Sequence, residues 1–227
     1  MSGVSMSYPP ARSFQPRRRA LSPSRAERYD RLVAQWALAV EGERIDLAAL
    51  FSSAGVVFDV VLDIGFGGGE GLIELARTRP QEAVIGVDVH TSGVAKVLEA
   101  IDDQGWQHVR VVEGDALEFL PRIQLAELAG VRLFFPDPWP KNKQRHRRLA
   151  RPDVVAQLVD RLRVGGTLHV ATDMIDYAAQ TLAVCSAELR LRGGVVERPT
   201  WRPLTRFEQR GLAEGRTPTD LIFERVS

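Results

Sequence analysis

The chain has 227 residues, of which 44% are hydrophobic and 26% are charged, so it is long enough to bury the core of one enzyme-sized domain. Its formal net charge is +1, and its single cysteine, Cys185, excludes an internal disulfide and a cysteine metal cluster. No apolar run approaches the roughly 18 residues of a membrane-spanning helix, and the first residues lack the apolar core of a signal peptide. The sequence therefore predicts a cytoplasmic protein in a reducing compartment, with no membrane partner and no metal.

The first 24 residues are rich in serine, proline and arginine and contain no acidic residue. This composition cannot bury enough apolar surface to fold by itself, so we expect a disordered basic tail over residues 1–24. The tail is either a solvated leader or an arm that binds nucleic acid. One folded domain is expected over residues 25–227. It begins with an amphipathic helix from Arg25 to Val40, where apolar residues fall at helical spacing.

From Val60 onward, short β-rich runs alternate with helical patterns, which is typical of parallel βαβ units. Strands are expected at Val60–Ile64, Ala83–Val87, Val109–Val112, Val131–Phe135 and Thr167–Ala171, the last entered by a turn at Gly165-Gly166. Helices are expected at Glu70–Arg79, Ser92–Asp103, Leu117–Leu128, Asp153–Leu162 and Met174–Leu189. Two last strands, at Val195–Trp201 and Leu221–Val226, are expected to form an antiparallel end to the sheet. The sequence thus predicts an α/β fold with a mostly parallel seven-stranded sheet, an antiparallel C-terminal strand and helices on both faces.

A glycine-rich loop follows the first strand, in the segment Asp63-Ile64-Gly65-Phe66-Gly67-Gly68-Gly69. Glycines permit a tight turn and let a ligand approach the backbone closely, which indicates a nucleotide-like cofactor. The third glycine of the dinucleotide fingerprint is replaced by Glu70. This replacement weakens the case for a nicotinamide dinucleotide.

Three carboxylates end successive strands, at Asp63, Asp88 and Asp115, and all should face the crevice where such sheets bind ligands. Asp88 is placed for a ribose diol and Asp115 for an adenine amino group. Asp63 would repel a pyrophosphate but attract a cofactor that carries an amino acid and a sulfonium cation. Any one of the three could instead be a helix cap. Together they favour S-adenosylmethionine over a nicotinamide cofactor.

The segment Phe134-Phe135-Pro136-Asp137-Pro138-Trp139-Pro140 places a carboxylate between prolines, on a stiff turn. Such a carboxylate can position a substrate, or it can cap a helix. Asp173 ends the fifth strand and is placed either to assist Asp137 or to cap the helix at Met174. Trp139 either stacks on a base or belongs to the core.

A basic run, Lys141-Asn142-Lys143-Gln144-Arg145-His146-Arg147-Arg148, follows this turn. Six Lys and Arg side chains and no acid lie between residues 141 and 152, whereas acids collect between Asp59 and Glu118. This asymmetry indicates an anionic partner on one face, with a merely solvated face as the alternative. We expect RNA contacts at Lys143, Gln144, Arg145, His146, Arg147 and Arg148.

Four segments together resemble bacterial tRNA (guanine-N7)-methyltransferases, and the similarity spans residues 57–224. They are the glycine-loop start at Asp63, the Pro-Asp-Pro-Trp segment with its basic run, Ala171-Thr172-Asp173, and Thr205-Arg206-Phe207-Glu208-Gln209-Arg210-Gly211. The resemblance implies the Rossmann-like fold of class I methyltransferases and methyl transfer from S-adenosylmethionine to N7 of guanine 46 in the tRNA variable loop. It also implies cofactor contacts at Asp63, Gly65, Asp88, Asp115 and Asp137, and substrate contacts at Lys141, Asp173, Thr205, Arg206, Phe207 and Glu208.

The implied chemistry needs orientation more than it needs a base, because guanine N7 carries an in-plane lone pair. Asp137 is the expected catalytic residue: its carboxylate would accept hydrogen bonds from the guanine N1 and N2 edge and offset the charge that develops on the purine. The chain departs from the family pattern in having aspartate where glutamate is commoner at positions 63 and 88, Pro140 after the tryptophan, and a longer tail. Another RNA methyltransferase, a nicotinamide-dependent oxidoreductase and a non-catalytic RNA-binding module stay open as alternatives, as do a monomer and a homodimer.

Overall fold

The computed structural model describes residues 21–52 and 58–227. Their strands form one seven-stranded sheet in the order β3-β2-β1-β4-β5-β7-β6. Strands β1 to β5 pair in parallel, whereas β7 runs antiparallel to both β5 and β6. The strands are β1 Asp59–Ile64, β2 Glu82–Asp88, β3 Val109–Glu113, β4 Leu128–Phe134, β5 Leu162–Thr172, β6 Leu191–Val196 and β7 Thr219–Arg225. The predicted sheet, with its antiparallel C-terminal strand, is confirmed.

Helices cover both faces of this sheet, as expected. They are α1 Pro23–Trp36, α2 Leu47–Leu50, α3 Glu70–Thr78, α4 Thr91–Gln104, α5 Ala116–Phe119, α6 Pro152–Arg161, α7 Ile175–Ala187 and α8 Arg206–Ala213. One apolar cluster joins α1, α3 and α4 to the sheet, and a larger one joins α2, α5, α6 and α7 to it. Burial on both faces explains why the central strands are continuous apolar runs.

The N-terminal helix is shorter at its C-terminal end than the spacing predicts. It begins at Pro23, a residue favoured in a first helical turn, and ends at Trp36 instead of Val40. Beyond it, Leu38 N–H donates to the carbonyl of Val111, and Ala37 bridges to the edge strand β3. Of the tail predicted at residues 1–24, residues 1–20 lie outside the described residues, and its last two residues already belong to α1.

The prediction of a helix at Leu117–Leu128 is wrong. The chain makes one α-turn, α5, then a 3₁₀ turn at Leu120–Arg122, and strand β4 already begins at Leu128. Pro121 explains the difference, because it has no N–H to continue the helix and its ring clashes with the carbonyl four residues earlier.

Two strands also differ in extent from the prediction. The Gly165-Gly166 turn is an irregularity inside the longer strand β5, whose pairing with β4 shifts between Leu128 and Gly130. Strand β6 begins at Leu191, four residues before the expected Val195–Trp201, and overlaps it only at its last two residues. It contains Gly193, where a Cβ would lie 2.1 Å from the Ile222 carbonyl oxygen. Close pairing with β7 therefore overrides the low strand propensity of glycine.

Candidate functional site

A cavity of about 890 Å³ opens at the carboxyl ends of the parallel strands. A second cavity of about 350 Å³ adjoins it and shares the walls at Gly65, Phe135 and Phe207. Most of the site residues predicted from the sequence line one or both of these cavities. They are Asp63, Gly65, Asp88, Asp115, Asp137, Asp173, Thr205, Arg206 and Phe207. The sheet topology therefore brings the predicted strand-end carboxylates to one site.

The glycine loop is packed tightly on helix α4 and leaves room on its other side. Gly65, Gly67 and Gly69 have φ values of 77°, 59° and 83°, in the left-handed region that favours glycine. A Cβ at Gly93 of α4 would lie 1.8 Å from the Gly67 carbonyl oxygen, whereas a Cβ at Gly65 would meet nothing within 4 Å. A side chain at Gly65 would fill space on the cavity wall, so the loop is shaped for a ligand that contacts backbone.

Asp88 holds this loop and also lines the cavity. Its carboxylate accepts hydrogen bonds from Gly67 N–H at 2.6 Å and from His90 N–H at 2.8 Å. The ring Nδ1 of His90 lies 2.7 Å from Asp88 Oδ1. His90 also lines the cavity, although the sequence analysis did not predict it. Its position two residues after a strand-end acid is only a weak signal.

Asp63 is buried, with 3% of its surface exposed, at the wall of the smaller cavity. Burial raises the pKa of this carboxyl group to about 6; Arg132, its neighbour on β4, opposes the rise, and Asp88 adds to it. A cation bound in the adjoining cavity would favour the ionised form of this carboxyl group. The site therefore carries a desolvated acid suited to a positively charged ligand group.

Asp115 both caps a helix and lines the cavity, which are the two roles that its position in the sequence left open. Its Oδ1 accepts a hydrogen bond from Leu117 N–H at 2.9 Å and so caps α5, and the residue also lines the larger cavity. Asp173 does not cap α7, whose N-cap residue is Met174 and which has no side-chain cap hydrogen bond. Instead, Asp173 Oδ2 accepts a hydrogen bond from Arg216 Nε at 2.6 Å. Arg216 also lines the cavity, and nothing in the sequence of its polar segment indicated this.

Asp137 is exposed in the wall of the larger cavity, between Pro136 and Pro138. Two residues that flank this turn have positive φ values, 52° at Phe135 and 40° at Trp139. Trp139 is 3% exposed and lies under the guanidinium of Arg147, 4.8 Å from its ring centre. Its side chain therefore belongs to the core, and the stacking alternative is not realised in this structure.

Helix α8 brings the Thr205–Glu208 segment to the cavity rim. Thr205 Oγ1 accepts a hydrogen bond from Glu208 N–H at 3.2 Å, a helix N-cap that a Thr-x-x-Glu spacing favours. Phe207 is 61% exposed and lines both cavities. An aromatic side chain held in this way presents a face on which a base can stack.

The predicted substrate contact of Glu208 is corrected by its burial. The side chain is 1% exposed and accepts hydrogen bonds from Arg202 at 2.7 and 2.8 Å and from Arg198 at 2.9 Å. Arg202 also donates to Asp220 at 3.0 Å, and Asp220 lies 2.7 Å from Nε2 of His169. Glu208 therefore anchors α8 to the sheet instead of facing the cavity.

The basic run begins as exposed chain and ends inside the protein. It forms a 3₁₀ helix, Asn142–Arg147, in which Lys143, Arg145 and His146 are exposed, while Gln144 and Arg147 are half-buried. The predicted RNA contact of Arg148 is corrected, because this side chain is 0% exposed and bonds to protein groups. Lys141, just before the helix, is exposed.

The residues around the cavities fit S-adenosylmethionine. The open space beside Gly65, the desolvated acid Asp63, and the wall carboxylates Asp88 and Asp115 match a molecule that has a cationic amino-acid end, a ribose diol and an adenine amino group. Within residues 21–52 and 58–227, no group of three or more His, Cys, Asp or Glu side chains could hold a metal ion. Over the same ranges, no helix is long and apolar enough to cross a membrane.

Comparisons with known proteins agree with this geometry. A family model described as "Putative methyltransferase" matches residues 58–221. A tRNA (guanine-N(7)-)-methyltransferase of Streptomyces avermitilis is 41% identical over 95% of this chain and 75% of its own length. A protein of the same name from Nitrosomonas europaea is 39% identical over 97% of this chain and 99% of its own. Among solved structures, this chain is similar to a 16S rRNA (adenine(1408)-N(1))-methyltransferase from Catenulisporales acidiphilia that was solved with its cosubstrate SAM. The two align with a TM-score of 0.53 and 16% identity, over 79% of this chain and 90% of that one. This last likeness shows the Rossmann-like methyltransferase fold.

Proposed function

This chain belongs to the family of tRNA (guanine-N(7)-)-methyltransferases, and on that premise we propose that it methylates N7 of guanine 46 in the tRNA variable loop, with S-adenosylmethionine as methyl donor. The observation that carries the proposal is the convergence of Asp63, Asp88, Asp115 and Asp137 on two adjoining cavities beside an exposed basic segment. A nicotinamide oxidoreductase is disfavoured by the buried acid at Asp63, which would face a pyrophosphate. Because tRNA is its substrate, we place the enzyme in the cytoplasm.

Three residues are proposed to hold the cofactor by its separate parts. Asp63 faces the cationic amino-acid end, Asp88 the ribose diol, and Asp115 the adenine amino group. Asp88 also fixes the glycine loop through its hydrogen bond from Gly67, so one carboxylate sets both the loop and the ribose position. The bound cofactor supplies an electrophilic methyl group.

Asp137 is proposed to orient the guanine so that the lone pair of N7 points at that methyl group. The carboxylate accepts hydrogen bonds from the N1–H and N2–H groups and faces the positive charge that the purine gains on methylation. Neither role requires the carboxylate to remove a proton. The rate enhancement then comes mainly from alignment, which is sensitive to small displacements of the carboxylate.

The RNA is proposed to approach across the rim that carries the exposed basic segment and α8. Lys141, Lys143 and Arg145 are placed for phosphates that flank the target, and Phe207 for stacking on a base. Reading a base in a loop requires it to be turned out of its stack, which a stacking aromatic at the cavity rim favours. Asp173 and Arg216, which also line the larger cavity, are proposed to complete the guanine pocket.

The test is methylation of a tRNA transcript with S-adenosylmethionine, followed by nuclease digestion and mass spectrometry to locate the product. We expect 7-methylguanosine at position 46 and no product from a matched transcript with adenine at that position. Methylation at another position would refute the site assignment. Calorimetric titration with S-adenosylmethionine and with NAD separates the two cofactor classes, and binding of NAD alone would refute the proposed activity.

A further inference from the structure

The turn that carries Asp137 has a strained backbone and few hydrogen-bond donors of its own. Phe135 and Trp139 adopt positive φ, which is costly for residues with a side chain. Pro136, Pro138 and Pro140 have no N–H and so give the turn no hydrogen-bond donors of their own. Donors from other parts of the chain can therefore stabilise the carbonyl groups of this turn.

Arg148 supplies these donors. Its Nε donates to the Pro138 carbonyl at 2.9 Å, and its Nη2 donates to the Trp139 carbonyl at 3.4 Å. These two carbonyls follow Asp137 directly in the chain. One guanidinium thus holds the carbonyls of the two residues that follow the proposed catalytic carboxylate.

Helix α7 also holds the same guanidinium. Arg148 Nη2 donates to Asp176 at 2.6 Å and Nη1 donates to Gln180 at 2.9 Å, while the guanidinium carbon lies 5.0 Å from the ring centre of Tyr177. The side chain is fully enclosed, so its charge is compensated by Asp176 and by hydrogen bonds instead of by water. Helix α7 begins just after β5, so Arg148 links the Asp137 turn to a rigid element of the fold.

We propose that Arg148 is a positioning residue that fixes the Asp137 turn against helix α7. The proposal rests on the proposed function, since Asp137 is the carboxylate that would orient guanine. It assigns Arg148 a role different from that of the exposed cations before it in the basic run. Lysine cannot replace it, because an ammonium is a compact charge without the planar fork that reaches the turn carbonyls and α7 at once.

The test is Arg148→Lys, with kcat, KM for tRNA and the salt dependence of tRNA binding as readouts. We expect kcat to fall at least tenfold, while KM for tRNA changes less than threefold and the slope of log affinity against log salt stays the same. Combined with Asp137→Asn, the Arg148→Lys change should add less than a twofold further loss, because both act through one carboxylate. Lys143→Gln is the comparison for a phosphate contact: it should lower the salt slope and raise KM for tRNA.

The control for loss of an arginine that holds backbone carbonyls is Arg225→Lys, at a half-buried position. The Arg225 guanidinium also holds backbone carbonyls, including that of Val159 at 3.0 Å, but at the other end of the sheet. This variant should leave kcat and the salt slope at wild-type values. A raised KM and a lower salt slope in Arg148→Lys would show that Arg148 contacts RNA. If Arg148→Lys keeps the wild-type kcat, or if its loss of kcat multiplies the loss caused by Asp137→Asn, then Arg148 only supports the fold. Each of these results, and an RNA contact, overturns the proposal.

A second variant and a substrate-free readout keep the test decisive. If Arg148→Lys does not fold, Gln180→Met removes one partner of the guanidinium, and it should lower kcat at least threefold without a change in the salt slope. Without tRNA, amide hydrogen exchange at Asp137, Trp139 and Lys141 should be at least tenfold faster in the Arg148 variant and unchanged in Arg225→Lys. Unchanged exchange refutes the positioning role. A wild-type enzyme that fails to methylate tRNA while this exchange difference holds refutes the proposed function alone.

Discussion

Replacing Asp63 by asparagine is expected to stabilise the free protein while it weakens cofactor binding. The carboxyl group is buried, and burial raises its pKa from the ordinary 3.8 to about 6, against the opposing charge of Arg132. This difference corresponds to about 3 kcal/mol, at about 1.4 kcal/mol per pH unit. Asparagine keeps the shape of the side chain and carries no charge, so the cost of burying the ionised group is removed.

The sign of the effect depends on pH. Above about pH 6 the carboxyl group is ionised in both the folded and the unfolded chain, so the wild-type protein carries the full cost of the buried charge. As the pH falls from about 6 toward 3.8, the folded chain takes up the proton first and the cost disappears. The variant should therefore be more stable than the wild type by about 3 kcal/mol near pH 7.5 and by about 1.5 kcal/mol near pH 5.

Urea unfolding followed by circular dichroism, without cofactor and at both pH values, measures this difference. Asp59→Asn is a matched control, because Asp59 starts the same strand, is 56% exposed and pairs with Arg163 at the surface. Its change in stability should stay below about 0.5 kcal/mol at either pH. Calorimetry should show that Asp63→Asn weakens S-adenosylmethionine binding by about 1.5 to 3 kcal/mol. A variant that is no more stable than the wild type near pH 7.5, or that binds the cofactor normally, would refute the reasoning.

Three further outcomes follow from the site. Asp137→Asn should lower kcat at least tenfold without a matching loss of tRNA affinity; a pH–rate profile governed by a group that titrates near neutrality would instead indicate a general base. Replacing Lys141, Lys143 and Arg145 together by glutamine should lower the slope of log affinity against log salt by about 0.7 per lost phosphate contact. Filter binding over a series of salt concentrations measures this slope, and an unchanged affinity for the cofactor is the control. Gly93→Ala should abolish S-adenosylmethionine binding in calorimetry, because the added Cβ would lie 1.8 Å from the glycine-loop carbonyl; normal binding would contradict this packing.

Much of the fold is determined by local sequence. Alternating apolar runs and helical patterns set the parallel sheet, because strands buried on both faces must be continuously apolar. Glycines after the first strand and acids at strand ends predict the cofactor side of the site, because the carboxyl ends of parallel strands meet at one edge. Where a prediction was wrong locally, as at Leu117–Leu128 and at β6, a proline or the pairing with a distant strand outweighed the propensity of the segment.

The roles of individual charged residues were decided only by tertiary structure. Arg145 and Arg148 belong to one basic run, yet Arg145 is exposed and Arg148 is enclosed beneath the Asp137 turn. Glu208 shares a motif with the exposed Phe207 but points into a buried ionic cluster with Arg202. Sequence spacing gives the type and order of such side chains. Whether each faces water, ligand or core depends on which distant elements pack against it, because a buried charge is stable only where partners from other parts of the chain compensate it.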